Sequence, residues 1–371
     1  MSDFNIKTTL DELCRQYGPS GYEQEVADYC RPFLESSCDK VWRDEVGNLI
    51  GFVDGESDDP QDSVRIFAHM DEIALMVKRI EKDGLIRVDP LGGIYPNLIG
   101  VGPVEILGRH ERQMGILGAG SVHVSENSST AYDIQHSMGN KAMTWSDTHV
   151  FTGLSREALY RKGIRAGTRI VIARHRRTLT DLGDFWAGYF FDNRAAIATL
   201  LALARQLKDR NQRPFPDLYI VLTAEEEVGA HGAKFAARNV PAALTLGLDV
   251  GPAEEEYSID FTPSPILVYR DEEALYDRQV ADHFLDVAER IGMHVQTAAL
   301  SSYRSDVSHA KSSGRSPFSG LICIPTKNTH SYEIIHRSAI PNTVRILSEF
   351  LLEDTHSLLQ QFCPPPTPYV E

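Results

Sequence analysis

Between Val221 and Ala233 the chain reads VLTAEEEVGAHGA, an apolar run that ends in three consecutive glutamates, Glu225, Glu226 and Glu227. The aliphatic run predicts a buried strand, and the glycine-containing segment after the glutamates predicts the start of a helix. Like charges placed this close together repel one another and resist burial, so something must compensate them. A solvated turn would do so, and so would a metal cation.

The composition limits which classes of protein and which kinds of partner are possible. The 371 residues predict two domains or one large one, and no apolar run approaches the roughly 18 residues that a membrane span needs. Lys and Arg total 37 against 52 Asp and Glu, and the net charge of −15 argues against nucleic acid as a partner. The polar N-terminus is predicted to be neither a secretory signal nor a transit peptide. Five scattered cysteines without a CxxC pair favour the reducing cytoplasm.

The pattern of apolar residues changes twice along the chain. One long segment is rich in short β runs such as PVEIL and MGILG, separated by Gly and Asp turns, which predicts a compact β-barrel or sandwich. On either side, apolar helices such as AAIATLLALARQL (Ala195–Leu207) alternate with strands of the kind covered on both faces, such as DLYIVLT (Asp217–Thr223). We therefore predict an α/β domain of residues 1–72 and 175–371, interrupted by a β-rich inserted domain of residues 73–174.

Two polar segments are interpreted as exposed. RHRR at Arg174–Arg177 is the densest basic cluster, and we assign it to a solvated loop. The tail CPPPTPYVE, Cys363–Glu371, contains four prolines and is predicted to be extended and exposed.

Polar residues follow the predicted strands at their carboxyl ends, where open α/β sheets bind ligands. His69 and Asp71 follow VRIFA, Asp249 follows ALTLGL, and His330 follows GLICIPTKNT. Asp192 precedes the apolar helix. Taken singly these positions say little, since Asp192 suits a helix N-cap and acidic residues such as those of EEEVG suit a solvated helix start.

Together, these residues offer imidazole and carboxylate without thiolate. That donor set suits a catalytic first-row divalent metal such as zinc, manganese or cobalt. One ion would use three protein ligands, whereas two ions sharing a carboxylate would use five.

Five short motifs follow one another along the chain: HMDEI (His69–Ile73), FDNRA (Phe191–Ala195), EEVG followed by HGA (Glu226–Ala233), LDV (Leu248–Val250) and IPT with THS (Ile324–Ser331). In this order and approximate spacing they resemble the motifs of the M42 family of dinuclear-metal aminopeptidases. The resemblance covers essentially the whole chain, and DPLGG (Asp89–Gly93) is similar to the segment that opens the barrel domain of the family.

This resemblance implies a fold and a metal site. The fold would be a metallo-exopeptidase sandwich with a central mixed sheet, interrupted by a β-barrel-like insertion. One divalent ion would bind His69 and Asp249, and a second would bind Glu227 and His330, with Asp192 bridging the two. Zinc is the first choice of metal, and cobalt and manganese are alternatives.

The resemblance also implies roles for two further carboxylates. Glu226 would be the general base, and Asp71 would orient His69, since a metal-bound histidine usually donates its other N–H to a fixed acceptor. The enzyme would release N-terminal residues from peptides through a metal-activated water. It would form a homo-oligomer built from dimers, up to a dodecamer, with the inserted domain contributing contacts.

Three alternatives remain open at this stage. The same metal chemistry would hydrolyse N-acyl amino acids or other small amides. A glycosidase is a second alternative, because members of the family have carried an endoglucanase label, although glycosidases generally work with two carboxylates and no metal. A non-catalytic homologue is the third.

The chain departs from the family pattern at several positions. Ala74 replaces a glycine, KNTH (Lys327–His330) replaces a motif with an Arg-Tyr pair, and the segment around Asp306 matches only loosely. Glu225 stands where the family has an uncharged residue, and we interpret it as a solvated neighbour of the site. The sequence leaves open the roles of Glu225, Asp306 and Lys327–Asn328, as well as the preferred N-terminal residue.

Overall fold

The computed structural model describes residues 4–121, 123–125, 127 and 142–362, so the proline-rich tail lies outside the described residues. The helices of these ranges are α1 (Ile6–Arg15), α2 (Gln24–Ser37), α3 (Pro96–Ile99), α4 (Arg156–Arg161), α5 (Phe191–Asp209), α6 (His231–Asn239), α7 (Arg278–Arg290), α8 (Asp306–Ser312), α9 (Ala339–Leu352) and α10 (His356–Phe362). The strands are β1 (Lys40–Arg43), β2 (Leu49–Val53), β3 (Ser63–His69), β4 (Ala74–Ile80), β5 (Ile86–Leu91), β6 (Gly102–Leu107), β7 (Arg112–Gly118), β8 (His149–Phe151), β9 (Arg169–Ile172), β10 (Thr180–Leu182), β11 (Phe185–Tyr189), β12 (Asp217–Thr223), β13 (Leu244–Pro252), β14 (Ile266–Arg270), β15 (Gln296–Ala299), β16 (Ser319–Lys327) and β17 (Tyr332–His336).

An 11-stranded mixed sheet forms the centre of the fold. Its main path runs β1-β2-β12-β3-β13-β16-β17-β11-β10, and β14 and β15 branch from β16. The four strands β12, β3, β13 and β16 are parallel to one another. Because parallel strands bring their carboxyl ends to one edge, the residues that follow them are collected in one place.

Helices cover both faces of this sheet. On one face α5 packs against α1, α2 and α9, and 14 of its 19 residues are buried because the sequence is apolar on nearly every side until the last turns of the helix. On the other face α6 and α8 contribute alanines that pack against Phe67 and Val221. With both faces covered, β3, β12 and β13 are buried almost throughout, as expected of parallel strands at the centre of a sheet, and β3 even buries Arg65.

A closed barrel of β4, β5, β8, β7, β6 and β9 interrupts this α/β arrangement. Aliphatic side chains such as Ile106, Val150 and Ile170 fill it and form a core separate from that of the sheet. The predicted α/β fold with a mixed sheet and a barrel-like insertion is therefore confirmed. The domain boundaries at residues 73 and 174 and the role of the barrel in assembly stay predictions.

Buried ion pairs connect the barrel to the α/β part of the fold. The Glu72 carboxylate lies 2.6 Å from Nη2 of Arg177, which follows the barrel, and 2.8 Å from Nη2 of Arg194 on α5, and all three side chains are fully buried. The Arg177 guanidinium also lies 4.6 Å from the ring centroid of Tyr17 and 4.4 Å from that of Phe190. The interpretation of RHRR as a solvated loop is thus wrong for Arg177, because Glu72 compensates its charge inside the protein.

Among the described helices, none is long and apolar enough to cross a membrane.

Candidate metal centre and active-site cleft

The carboxyl edge of the parallel strands brings together all five predicted metal ligands. His69 is the last residue of β3, and its partner in register, Thr223, ends β12 directly before the glutamate turn. Asp249 lies in β13 next to β3, and Asp192 follows β11 at the start of α5. His330 lies in the connection between β16 and β17.

Asp192 occupies the centre of this group. Its Oδ1 lies 2.9 Å from Nε2 of His69, and its Oδ2 lies 3.4 Å from Nε2 of His330. Asp249 Oδ1 is 4.0 Å from the His69 nitrogen, and Glu227 Oε1 is 3.7 Å from the His330 nitrogen. The carboxylate predicted to bridge therefore offers one oxygen to each half of the predicted site.

The two imidazoles are oriented in the same way. Nδ1 of His69 lies 3.2 Å from the main-chain oxygen of Asp71, and Nδ1 of His330 lies 2.8 Å from that of Gly93. A carbonyl oxygen only accepts hydrogen bonds, so each Nδ1 carries a proton and donates it. In the neutral tautomer each Nε2 therefore points an unprotonated lone pair at carboxylates, which is a repulsive arrangement unless a cation lies between them.

Asp71 has a wider role than the one predicted for it. Its Oδ1 lies 3.6 Å from Nδ1 of His69, beyond a normal hydrogen bond, and the Asp71 main-chain oxygen is the closer acceptor. Its two carboxylate oxygens instead accept the main-chain N–H groups of Glu226 at 2.8 Å and Glu227 at 3.1 Å. The Ser20 hydroxyl donates a further bond of 2.7 Å. Asp71 thus holds the glutamate turn as well as lying beside His69.

The three glutamates are not a solvated helix start, because α6 begins only at His231 and the turn before it lies against Asp71. The Glu227 side chain is 5% exposed, and both Glu226 and Glu227 line the cleft. Glu225 has a left-handed φ of 57° and donates its N–H to Glu23. Its side chain turns away to contact Nδ1 of His231 at 2.8 Å and is 37% exposed.

The surrounding carboxylates raise the affinity of both histidines for protons. Burial acts to lower the pKa of His69, but the hydrogen bond to Asp192 and the nearby Asp71 carboxylate outweigh it and raise that pKa well above its ordinary value. Burial also opposes the charge on His330, yet Glu227 and Asp192 raise its pKa to about 11. Despite burial, the two imidazoles hold the pKa of Asp192 below its ordinary value.

The other carboxyl groups are shifted in the opposite direction. Burial raises the pKa of Glu226 and of Asp249 well above their ordinary values, and neighbouring acids add to the effect. Burial and the charge of Asp192 raise the pKa of Glu227 to about 7 and that of Glu333 to about 8. These groups cannot all ionise together unless additional positive charge is supplied.

A cleft of about 890 Å³ opens above these residues. Beyond the five predicted ligands, its walls include Tyr303, Thr329, Arg304 and Glu272, and the last two form an ion pair of 2.9 Å at the exposed rim. The Tyr303 hydroxyl donates to the main-chain oxygen of Val250, directly after Asp249. Sequence reasoning missed Tyr303, because an aromatic residue in a polar loop carries no signal of its own.

Glu333 is the second residue that sequence reasoning missed. It is 1% exposed and accepts hydrogen bonds from the main chains of Asp192 and His330. A signal was present, because Glu333 takes a buried position in the alternating strand YEIIH, where an apolar residue is expected.

Several residues at which the chain departs from the family pattern, or whose roles the sequence left open, do not line the cleft. Asp306 is buried beneath it and accepts a hydrogen bond from the Thr223 hydroxyl, but does not line it. Lys327 lies 3.5 Å from Glu254. Asn328 has a φ of 60°, a left-handed conformation that asparagine adopts more readily than most residues. Ala74 is buried at the start of β4.

A second group of potential ligands, Asp59, Asp62 and His356, lies near the opposite end of β3. His356 Nδ1 is 2.8 Å from Asp62 Oδ2, and Gln360 donates to Asp59 at 3.1 Å. Hydrogen bonds account for these contacts, which attach α10 to the loop before β3.

The residues at the cleft floor fit a divalent metal. The ligand atoms of His69, Asp192 and Glu227 lie within 4.8 Å of one another, and the histidines already direct Nε2 toward the carboxylates. Imidazole and carboxylate are the donors that zinc, manganese and cobalt accept at catalytic sites. A cation here would also remove the charge conflict among the acids.

The pKa shifts predict an unusual pH dependence for the protein stripped of metal by a chelator. Glu227 and Glu333 have raised pKa values of about 7 and 8 in the folded state. Because the folded state binds these two protons more tightly than the unfolded state, both groups contribute their full stability below the ordinary glutamate pKa of about 4.3. That contribution is lost as the pH rises through the pKa values of the folded state. The raised pKa of His330 acts in the same direction above about pH 6.5.

The melting temperature of the metal-free protein should therefore fall between about pH 5 and pH 8. With saturating Zn²⁺ the fall should shrink or reverse, because bound metal keeps the carboxylates ionised. Thermal unfolding followed by circular dichroism measures both curves. A metal-free melting temperature that rises across this range would contradict the raised pKa values of Glu227 and Glu333.

Comparison with known proteins places this chain in a family. The sequence profile of the M42 glutamyl aminopeptidase family matches residues 47–346. A lysyl aminopeptidase of Pyrococcus furiosus is 28% identical over 249 residues, which cover 66% of this chain and 66% of that protein. The match therefore spans just under two thirds of that relative's length.

Solved structures agree in fold. The TET aminopeptidase of a marine sediment thaumarchaeote superposes with a TM-score of 0.86 at 23% identity, over 96% of this chain and 98% of that one. A TET peptidase of Pyrococcus horikoshii, described as assembling into a tetrahedron or a large octahedral shell, gives 0.82 at 22% identity, over 94% and 100%. At these identities the likeness concerns the fold, whereas the profile match, which covers most of the sequence, shows that the chain belongs to the M42 peptidase family.

Proposed function

We propose that this protein is a metal-dependent aminopeptidase that releases N-terminal residues from peptides. The observation that carries the proposal is the convergence of two histidines and four carboxylates, from five separate segments, at the floor of one cleft. Membership of the M42 family supports the peptidase activity and the need for a divalent metal. The first relatives compared are aminopeptidases by name.

We assign the metal ligands as the motifs predicted them. His69 and Asp249 would hold one ion, Glu227 and His330 a second, and Asp192 would contribute an oxygen to each. The distances of 2.9 Å and 3.4 Å from Asp192 to the two imidazoles support this division. Zinc is the proposed metal, with cobalt or manganese as alternatives.

The bound ions would polarise the scissile carbonyl and lower the pKa of the attacking water. Glu226 lines the cleft, and its carboxylate makes no hydrogen bond within the described residues, so it is available to accept a proton from that water. It would then return the proton to the leaving amine. Asp71 fixes the main chain of Glu226 and so aims this carboxylate into the cleft.

The alternatives are less well supported. A glycosidase would need two carboxylates without metal, whereas the acids here are paired with imidazoles. A non-catalytic homologue would have no need to keep Glu226 unpaired at the cleft wall. Hydrolysis of N-acyl amino acids would use the same metal chemistry, and only a comparison of substrates distinguishes it from aminopeptidase activity.

Homo-oligomers built from dimers, up to a dodecamer, are part of the proposal. The barrel supports this, because Ile116 on β7 and Phe151 on β8 are cross-strand partners that are 51% and 58% exposed. Exposed apolar patches of this kind are typical of protein interfaces. A cytoplasmic location is supported by four described cysteines that are free thiols.

Turnover of a matched substrate panel tests the activity. Aminoacyl p-nitroanilides with a free amino group should be cleaved, their N-acetylated forms should not, and a chelator should abolish cleavage until divalent metal is restored. Release of p-nitroaniline measures each of these rates, and release of acetate from N-acetyl amino acids measures the competing deacylation. Faster release of acetate would favour the amidohydrolase, and chelator-resistant release of reducing sugar from a glucan would favour the glycosidase.

Glutamine substitutions in the glutamate turn test the proposed roles. Glu226→Gln removes the proton acceptor but no metal ligand, so both ions should stay while turnover falls by about a hundredfold or more. Glu227→Gln should weaken binding of one ion, because it alters a direct ligand. Bound metal and peptidase rate are measured on the same preparations.

Glu225→Gln is the matched control. The Glu225 side chain contacts His231 and does not line the cleft, so its substitution should change neither metal content nor rate by much. Near-normal turnover in Glu226→Gln, or its loss in Glu225→Gln, would require the general base to be reassigned.

A further inference from the structure

Glu333 lies behind the proposed metal ligands, on the side away from the cleft. It belongs to β17, where it pairs in register with Gly188 of the neighbouring β11. The Glu333 side chain is 1% exposed and does not line the cleft. It therefore contacts neither solvent nor a substrate in the cleft.

The two oxygens of Glu333 accept from two different segments. Oε2 accepts the N–H of Asp192 at 3.0 Å, at the junction of β11 and α5. Oε1 accepts the N–H of His330 at 3.0 Å, in the connection between β16 and β17. One carboxylate thus links the main chains of two residues whose side chains lie 3.4 Å apart in the metal site.

The buried position of Glu333 has an energetic cost that needs a physical explanation. Burying a carboxylate is unfavourable, and in the described residues both hydrogen bonds of Glu333 go to neutral main-chain groups rather than to a lysine or arginine. The geometry nevertheless requires two acceptors, which a carboxylate supplies and an amide does not, because glutamine offers one acceptor oxygen and one donor nitrogen.

His330 adds a further reason for the link. Its φ of 61° lies in the left-handed region, which is unfavourable for a residue with a β-carbon. Such conformations persist at functional sites where surrounding contacts hold them. The bond from the His330 N–H to Glu333 is one such contact, and the bond from its Nδ1 to Gly93 is another.

We propose that Glu333 is a positioning residue that fixes the separation of Asp192 and His330 and so sets the affinity of the ion that these two residues share. The inference rests on the proposed function, since it takes both residues as metal ligands. Glu333 does not touch the ion or the substrate. It acts through the main chains of the two ligands.

Titration of the metal-free protein with Co²⁺ tests this inference. In Glu333→Gln the amide nitrogen of the glutamine, which is a donor, faces the main-chain N–H of either Asp192 or His330. Two donors repel each other, so Asp192 and His330 should shift apart. The ion assigned to Glu227 and His330 should bind about 10–100-fold more weakly, the range found when groups supporting metal ligands are removed. The ion on His69 and Asp249 should be less affected. Calorimetry and the visible spectrum of bound Co²⁺ report both events.

Two further variants control the experiment. Glu333→Asp keeps the carboxyl group but is one methylene shorter, so it should weaken binding of the same ion, and it provides the test if Glu333→Gln does not fold. Glu254→Gln changes a glutamate outside the cleft that is 51% exposed and should leave both affinities unchanged. With metal saturating, Glu333→Gln should lower kcat more than it raises KM if the ligand geometry stays distorted.

The outcomes separate this inference from the proposed function. Wild-type affinity for both ions in Glu333→Gln and Glu333→Asp would overturn the positioning role while leaving the metal site intact. A wild-type protein that binds no Co²⁺ would overturn the proposed function itself, and the positioning role with it.

Discussion

Electrostatic repulsion among carboxylates is the constraint on which the arrangement of this protein depends. Asp192, Glu226, Glu227 and Asp249 converge at one edge of the sheet, where burial and mutual repulsion raise the pKa of every one except Asp192. Two imidazoles supply part of the missing positive charge. A divalent cation would provide the remainder, and this would explain why consecutive glutamates directly follow a buried strand.

Holding like charges together requires a rigid frame, and buried carboxylates that accept main-chain N–H groups provide it. Asp71 accepts from Glu226 and Glu227, and Glu333 accepts from Asp192 and His330. Beneath them Glu72, paired with two buried arginines, joins the barrel to the sheet. Acceptors that act on the main chain leave the side chains of the proposed ligands free to face the cleft.

The sequence could predict that the proposed ligands lie together, because strand direction determines where they lie. His69 and Asp249 sit at the carboxyl ends of apolar runs, and parallel pairing brings such ends together whatever the loops do. The burial of Arg177 could not be predicted in this way. RHRR is polar along its length, and only the folded chain brings Glu72, Tyr17 and Phe190 around that guanidinium. The proposed role of Glu333 could not be predicted from the sequence for a similar reason, since its hydrogen-bond partners are main-chain groups.

Anomalous X-ray diffraction from crystals grown with Zn²⁺ would test the central claim most directly, because it locates each ion without assuming its ligands. The account predicts two peaks per chain at the cleft floor, one contacted by His69 and Asp249 and the other by Glu227 and His330, with Asp192 between them. A single peak, or peaks held by other residues, would contradict it.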